Sequence, residues 1–158
     1  MSLYAKLGFD IREPFAVMQG EPLAIRIPGY EVSPATDADF DACDALCQRV
    51  HGHDRSGELH RPLVPGLATV VERQGRITGY ATGIAYSAHA VAEADDDLVA
   101  LIGAAENFIG PGFLVPMRNT DLLRWCLNHR FRVNYMMNLM TIGLYQEPRG
   151  PFLASVHY

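Results

Sequence analysis

The alternation of strand-like and helix-like segments predicts an α/β fold: a mixed, mostly antiparallel sheet flanked by helices. Three observations carry this. Short runs rich in β-branched and aromatic residues recur from Phe9 to Val156. Between them lie amphipathic segments with helix-start signals at Thr36, Asp95 and Asn119. With 158 residues, 49% hydrophobic, the chain is long and apolar enough to enclose a core.

Leu3–Leu7 reads as the last turns of a helix, with Gly8 placed as a left-handed cap. Phe9–Val17 reads as a strand. Gly20–Tyr30 holds two prolines and reads as a connector, with a short strand expected at Leu23–Ile27. Val32–Ala35 is a short strand. Thr36 and Asp39 have capping-box spacing. Phe40, Cys43, Cys47 and Val50 fall on one face of the helix they open, and Gly52 ends it. Asp54–His60 reads as a second short helix. Leu67–Glu72 and Ile77–Tyr86 flank Gln74-Gly75 as an antiparallel hairpin. His89–Ala92 is a short extended piece. Asp95, Asp96 and Asp97 then open a helix over Leu98–Phe108, their carboxylates favouring its dipole. Gly110-Pro111-Gly112 breaks the chain before a buried-type strand at Phe113–Val115. Asn119 caps a helix over Asp121–His129. Phe131–Thr141 is a strand, Gly143–Gly150 a loop, and Phe152–Val156 a last strand. From Glu31 onward the order is β-α-α-β-β-β-α-β-α-β-β. A weak repeat links Leu3–Gly8 and the strand from Phe9 to Trp125–Arg130 and the strand from Phe131, at an offset of 122 residues.

The formal charge of −5 and pI of about 5.6 exclude a globally basic nucleic-acid footprint and disfavour an anionic membrane surface. No apolar run reaches the roughly 20 residues of a membrane span. Met1–Pro14 lacks the apolar stretch of a signal peptide. Three cysteines, Cys43, Cys47 and Cys126, fit reduced thiols better than a disulfide framework. The expectation is a cytoplasmic protein.

The segment Leu3-Tyr4-Ala5-Lys6-Leu7-Gly8-Phe9, with a tyrosine four residues before a Gly-Phe pair, resembles the end of the last core helix in the GNAT superfamily of N-acyltransferases. The element order from Val32 onward is similar to that family. Gly79–Gly83, His89–Ala92 and the ending Phe152–Tyr158 look like the second half of tandem GNAT proteins. The resemblance implies a GNAT-like domain over 31–158, a connector at 21–30, and a tail over 1–20 resembling the end of a first unit. It implies acetyl-CoA as cofactor and a small-molecule or protein amine as acceptor. In the family mechanism a base deprotonates the amine, the amine attacks the thioester, a strand N–H stabilises the oxyanion, and a tyrosine protonates the departing thiolate. The implied catalytic positions are Tyr4, His89 and Cys126; the cofactor-binding positions are Val91 and Asn119. The implied partner is a second copy, as a homodimer, or an upstream GNAT lobe.

Two departures open an alternative. The glycine-rich turn that holds the cofactor's pyrophosphate reads Ala92-Glu93-Ala94-Asp95-Asp96-Asp97, without glycine and with four carboxylates. A carboxylate ~6 Å from a phosphate charge costs roughly 3 kcal/mol at an effective dielectric near 20. In the last helix Asn119 keeps the family's first position, but Leu122 replaces a small residue, Cys126 the tyrosine and Arg130 a glycine. The alternative is an incomplete or degenerate copy: a non-catalytic GNAT-like lobe for ligand binding, support of a catalytic lobe, or dimerisation.

Other clusters carry less. Cys43, Cys47, His51 and His53 have zinc-type chemistry, but Phe40 and Val50 share the cysteine face and burial accounts for it; no metal is expected. Glu72 and Glu93 are alternative bases to His89. Trp125, Tyr135, Met136, Met137 and Met140 read as core or interface. Alternation of Arg132 and Asn134 with Val133 and Tyr135 fits a half-exposed strand, and Arg118, Arg124, Arg130 and Arg132 a solvated face.

Overall fold

A computed structural model describes residues 2–53, 55–60 and 66–157. The chain is α/β: two antiparallel sheets with helices against them. Helix α1 (Ser2–Lys6) leads through Gly8, at φ +89°, into strand β1 (Asp10–Gln19). After the connector come β2 (Glu31–Pro34), a 3-10 turn at Asp37–Asp39, α2 (Phe40–His51) and α3 (Ser56–His60). The hairpin β3 (Thr69–Arg73) and β4 (Arg76–Ala81) is followed by β5 (Ala90–Ala92), α4 (Asp95–Ala104), β6 (Phe113–Pro116), α5 (Thr120–Asn128), β7 (Arg132–Thr141) and β8 (Phe152–Leu153). Among the described residues no helix is long and apolar enough to cross a membrane.

The local signals act as expected. Thr36 donates its backbone N–H to the Asp39 carboxylate at 2.8 Å. Gln74 and Gly75 both take positive φ, as a two-residue hairpin turn requires. Gly52 closes α2 at φ +74°. The Asn119 side chain accepts the Leu122 N–H at 3.1 Å.

Four expectations about these elements are corrected. Leu23–Ile27 forms no strand: Ala24 sits at φ +51° and the Ile25 N–H turns to the carbonyl of Gly103. The α4 helix stops at Ala104 rather than Phe108. The second hairpin strand stops at Ala81, because Gly83 takes φ +143°, outside strand geometry. The last strand is only Phe152–Leu153, extended by a single bridge at Ala154. Asp54, the expected start of α3, lies outside the described residues.

The five-stranded sheet runs β2-β3-β4-β5-β8 and the three-stranded sheet β6-β1-β7. Strand β1, from the segment read as a tail, is the middle strand of its sheet; Phe15, Ala16, Val17 and Met18 are buried. Residues 10–19 therefore share one core with the rest of the chain. The main cluster packs α4 (Leu98, Leu101, Ile102) against Val71, Ala92, Phe113, Phe131 and Cys126. A second packs α2 (Cys43, Leu46, Cys47, Val50) on Val70, Tyr80 and Val91. Strand β7 departs from the half-exposed reading: Val133 and Tyr135 are exposed along with Arg132 and Asn134, since nothing described covers its outer side and a bulge at Asn134 shifts the register.

Candidate functional site: the gap between β5 and β6

The two sheets meet where β5 ends and β6 begins, after the α4 crossover. Residues 151–154 occupy this gap. Ala90 faces Leu153 and Val91 faces Phe152 in antiparallel register. The Ala92 N–H donates to the Pro151 carbonyl at 3.0 Å, and the Ala154 N–H to the Leu114 carbonyl at 3.2 Å. The segment thus bonds to both lips. The Phe152 ring is buried, edge-on to Phe15 (centroids 6.1 Å) and to His51 (5.3 Å). The Arg118 guanidinium lies 5.7 Å from its centroid. A side chain at Gly150 would come within 3.3 Å of the Ala92 carbonyl, so the approach is close.

The loop before β8 is tied down as well. The Arg149 N–H donates to the Val50 carbonyl at 2.7 Å. Arg118 pairs with the buried Glu13 of β1 at 3.2 Å, with Glu147, and with the Pro148 carbonyl at 3.2 Å. Burial holds the Glu13 carboxyl above its usual range, and Arg118 offsets only part of that rise. Arg118 is therefore a bridge from β1 to the loop, not part of a solvated face. The period of β1 hints at this, since it sets Glu13 on the face of Phe15 and Val17.

The acidic turn below the gap is spent on internal bonds. Asp97 is fully buried; it accepts the Ala94 N–H at 3.0 Å and the Thr78 hydroxyl at 2.6 Å. Asp95 accepts the Asn119 side-chain amide at 2.6 Å. Glu93 takes both arms of Arg76, at 2.6 and 2.7 Å, and Arg49 at 3.2 Å. The Arg76 hydrogen bonds hold its carboxyl below the usual range. Of the turn's backbone donors, the Ala94 N–H is taken by the Asp97 carboxylate, and those of Glu93 and Asp97 by the Thr78 and Ala94 carbonyls at 2.8 and 3.1 Å.

His89 is fully buried in a polar chain. Its Nδ1 lies 2.9 Å from the Glu58 carboxylate and its Nε2 2.9 Å from the Tyr80 hydroxyl. Burial pushes its pKa down, so the neutral ring donates from Nδ1 and accepts from Tyr80. Burial opposes ionisation of Glu58, but the His89 hydrogen bond and the Arg55 guanidinium outweigh it and hold the carboxyl at about 2. Arg55 reaches Glu58 at 2.8 Å. The chain orders α3 against the sheet, and no atom of the His89 ring is open to a substrate. Glu58, 31 residues from His89, was not singled out in the sequence; its only signal is a carboxylate in a short helix.

The other expected positions lie apart. Cys126 is buried in the main cluster and its thiol is pushed up to about 12 by burial, which leaves it a poor proton donor to a thiolate. Val91 is held on both sides, by Tyr80 of β4 and Phe152 of β8. Asn119 caps α5 and bonds Asp95. Tyr4 is 53% exposed, edge-on to Phe9, on the rim of a cavity of about 220 Å³ with Phe15, Leu114, Met137 and Ser155. That cavity contains none of the other four. Only Asn119 touches the acidic turn. Cys43 and Cys47 are buried among Leu46, Val50 and Val70, and burial pushes the Cys43 thiol up to about 12.

A scan of protein-family models gives no match to this chain, and a search of curated proteins gives none.

Proposed function

We propose that this chain is a GNAT-like lobe that does not itself transfer an acyl group, and that it supports a catalytic lobe or binds a partner. One observation carries this reading: residues 151–154 lie in the gap between β5 and β6, bonded to both lips. In the resembled family that gap takes acetyl-CoA. Here its backbone donor at Ala92 is satisfied by Pro151, and Val91 is paired on both edges. The GNAT assignment itself rests on the order β2-α2-α3-β3-β4-β5-α4-β6-α5-β7 and on the Tyr4-to-Phe9 segment.

A second reading keeps the chain an acetyl-CoA-dependent N-acyltransferase acting on a small-molecule or protein amine. It is favoured by Tyr4, a half-exposed phenol at the mouth of an apolar cavity. Calorimetric titration of acetyl-CoA into the purified chain, with and without magnesium, separates the two. The supporting-lobe reading expects no heat of binding up to about 1 mM, and affinity near 1 µM, ~8 kcal/mol, overturns it.

A further inference from the structure

The cavity beneath Tyr4 lies between α1, β1, β6, β7 and residues 155–156, and none of residues 151–154 lines it. Its walls are held from behind. Gly8 turns the chain so that the Phe9 N–H donates to the Tyr4 carbonyl at 3.0 Å, and the two rings meet edge-on at 5.3 Å. Phe15 is buried, edge-on to Phe152. The Met137 thioether accepts the Tyr86 hydroxyl at 3.1 Å.

The lining chemistry limits what can enter. No Asp, Glu, Lys, Arg or His is among the described lining residues, so a charged ligand would be buried there without a partner. Tyr4, Phe9 and Phe15 instead offer aromatic edges and faces. Ser155 is the polar handle. It is 2% exposed and its oxygen accepts the His157 N–H at 3.0 Å, while among the described residues its hydroxyl hydrogen has no acceptor. A buried donor without an acceptor is destabilising, and a ligand carbonyl would relieve it. The volume, about 220 Å³, is roughly half as large again as the ~150 Å³ cavity that holds benzene. One ring with a short substituent fits it.

We propose that this cavity binds a small neutral aromatic carbonyl compound, its ring packed against Phe9 and Phe15 and its oxygen on the Ser155 hydroxyl. Met140, a flexible thioether chain, takes up the remaining shape. The inference needs no acyl transfer. This ligand class carries neither a thioester nor an amine, so acetyl-CoA can fail to bind while the cavity fills.

Acetophenone, toluene and benzoate titrated into the full chain test it, read from carbon-labelled methionine methyl groups by NMR. Two of the six methionines, Met137 and Met140, line the cavity. Acetophenone is expected to shift both signals, saturating with a Kd below about 1 mM. Met18 and Met117, which pack in the main cluster, are expected to stay still. Benzoate is expected to move neither cavity signal at ~10 mM. Ser155→Ala is expected to weaken acetophenone about fivefold and leave toluene unchanged. Leu139→Trp, which fills the cavity from a partly exposed strand position, is expected to abolish binding of both with an unchanged circular-dichroism spectrum. Four results each overturn the proposal: no shift at Met137 and Met140 with acetophenone at ~10 mM, equal shifts with benzoate, a Ser155→Ala variant that treats acetophenone and toluene alike, or binding that survives Leu139→Trp.

Discussion

Two edges of the strand layer meet opposite fates. The outer edge of β5 is closed by β8, which buries Phe152 and Leu153 and consumes the Ala92 N–H. The outer edge of β7 stays open with its side chains in water. Both strands are apolar in sequence, so composition does not separate them. What differs is whether a later piece of chain returns to pair. The loop after β7, anchored at Val50 and Arg118, carries the chain across to β5. The closed edge ties the returning chain to the body; the open edge has β1 as its one strand neighbour among the described residues.

The largest expected effect breaks the closed edge. Phe152→Ala removes a buried ring from contact with Phe15, His51 and Arg118. It is expected to cost about 3–5 kcal/mol, read as a lower denaturation midpoint. The equivalent truncation on the open edge, Met136→Ala, is expected to cost under ~0.5 kcal/mol within a protomer. Equal losses at the two positions would erase the contrast.

Next comes the anchor of the returning loop. Arg118→Met strands the buried Glu13 carboxylate. A fully buried pair broken in this way loses about 3–5 kcal/mol; the arginine is a third exposed, so we expect about 2 kcal/mol. The double variant Glu13→Gln/Arg118→Met should recover part of that in the same denaturation experiment.

Acid sharpens the comparison, because the titrating groups lie on the closed side. Burial, with the nearby Arg55, holds His51 neutral with a pKa of about 3. The unfolded chain takes up that proton near pH 6.5, so stability falls as pH drops from about 6.5 toward 3. Glu58, held at about 2, contributes stability that is complete above about 4.5 and is lost between there and 2. Each group gives at most ~1.4 kcal/mol per pH unit. Urea midpoints are expected to be flat above pH 7 and to fall below 6; a midpoint that rises on acidification contradicts this. A smaller loss on the same side is expected for Asn119→Ala, about 1 kcal/mol for a lost cap, measured as a change in melting temperature.

Local features of the fold were legible in the sequence. The Thr36–Asp39 cap, the Gln74-Gly75 turn, the Asn119 cap and the full element order after Glu31 all depend on neighbours within a few residues. What the sequence concealed is long-range. Nothing in the period of β1 says that it inserts between β6 and β7, although the weak repeat linking β1 to β7 turns out to join adjacent strands. The two residues of β8 carry no pattern that names β5 as their partner. Glu58 and His89 meet across 31 residues, and Glu13 and Arg118 across 105, with no motif to announce either pair. The candidate catalytic positions Tyr4, His89 and Cys126 came from the family resemblance alone. Each of those side chains occupies a different environment.

On the supporting-lobe reading, residues 151–154 hold the gap between β5 and β6 in place of a cofactor. Amide hydrogen exchange at Ala92 and Ala154, whose N–H groups donate to Pro151 and Leu114, tests it most directly. Strong protection is expected at both amides, unchanged by saturating acetyl-CoA. Protection lost from Ala154 as acetyl-CoA is added, with protection gained along β5, would mean that the cofactor displaces β8, and would contradict it.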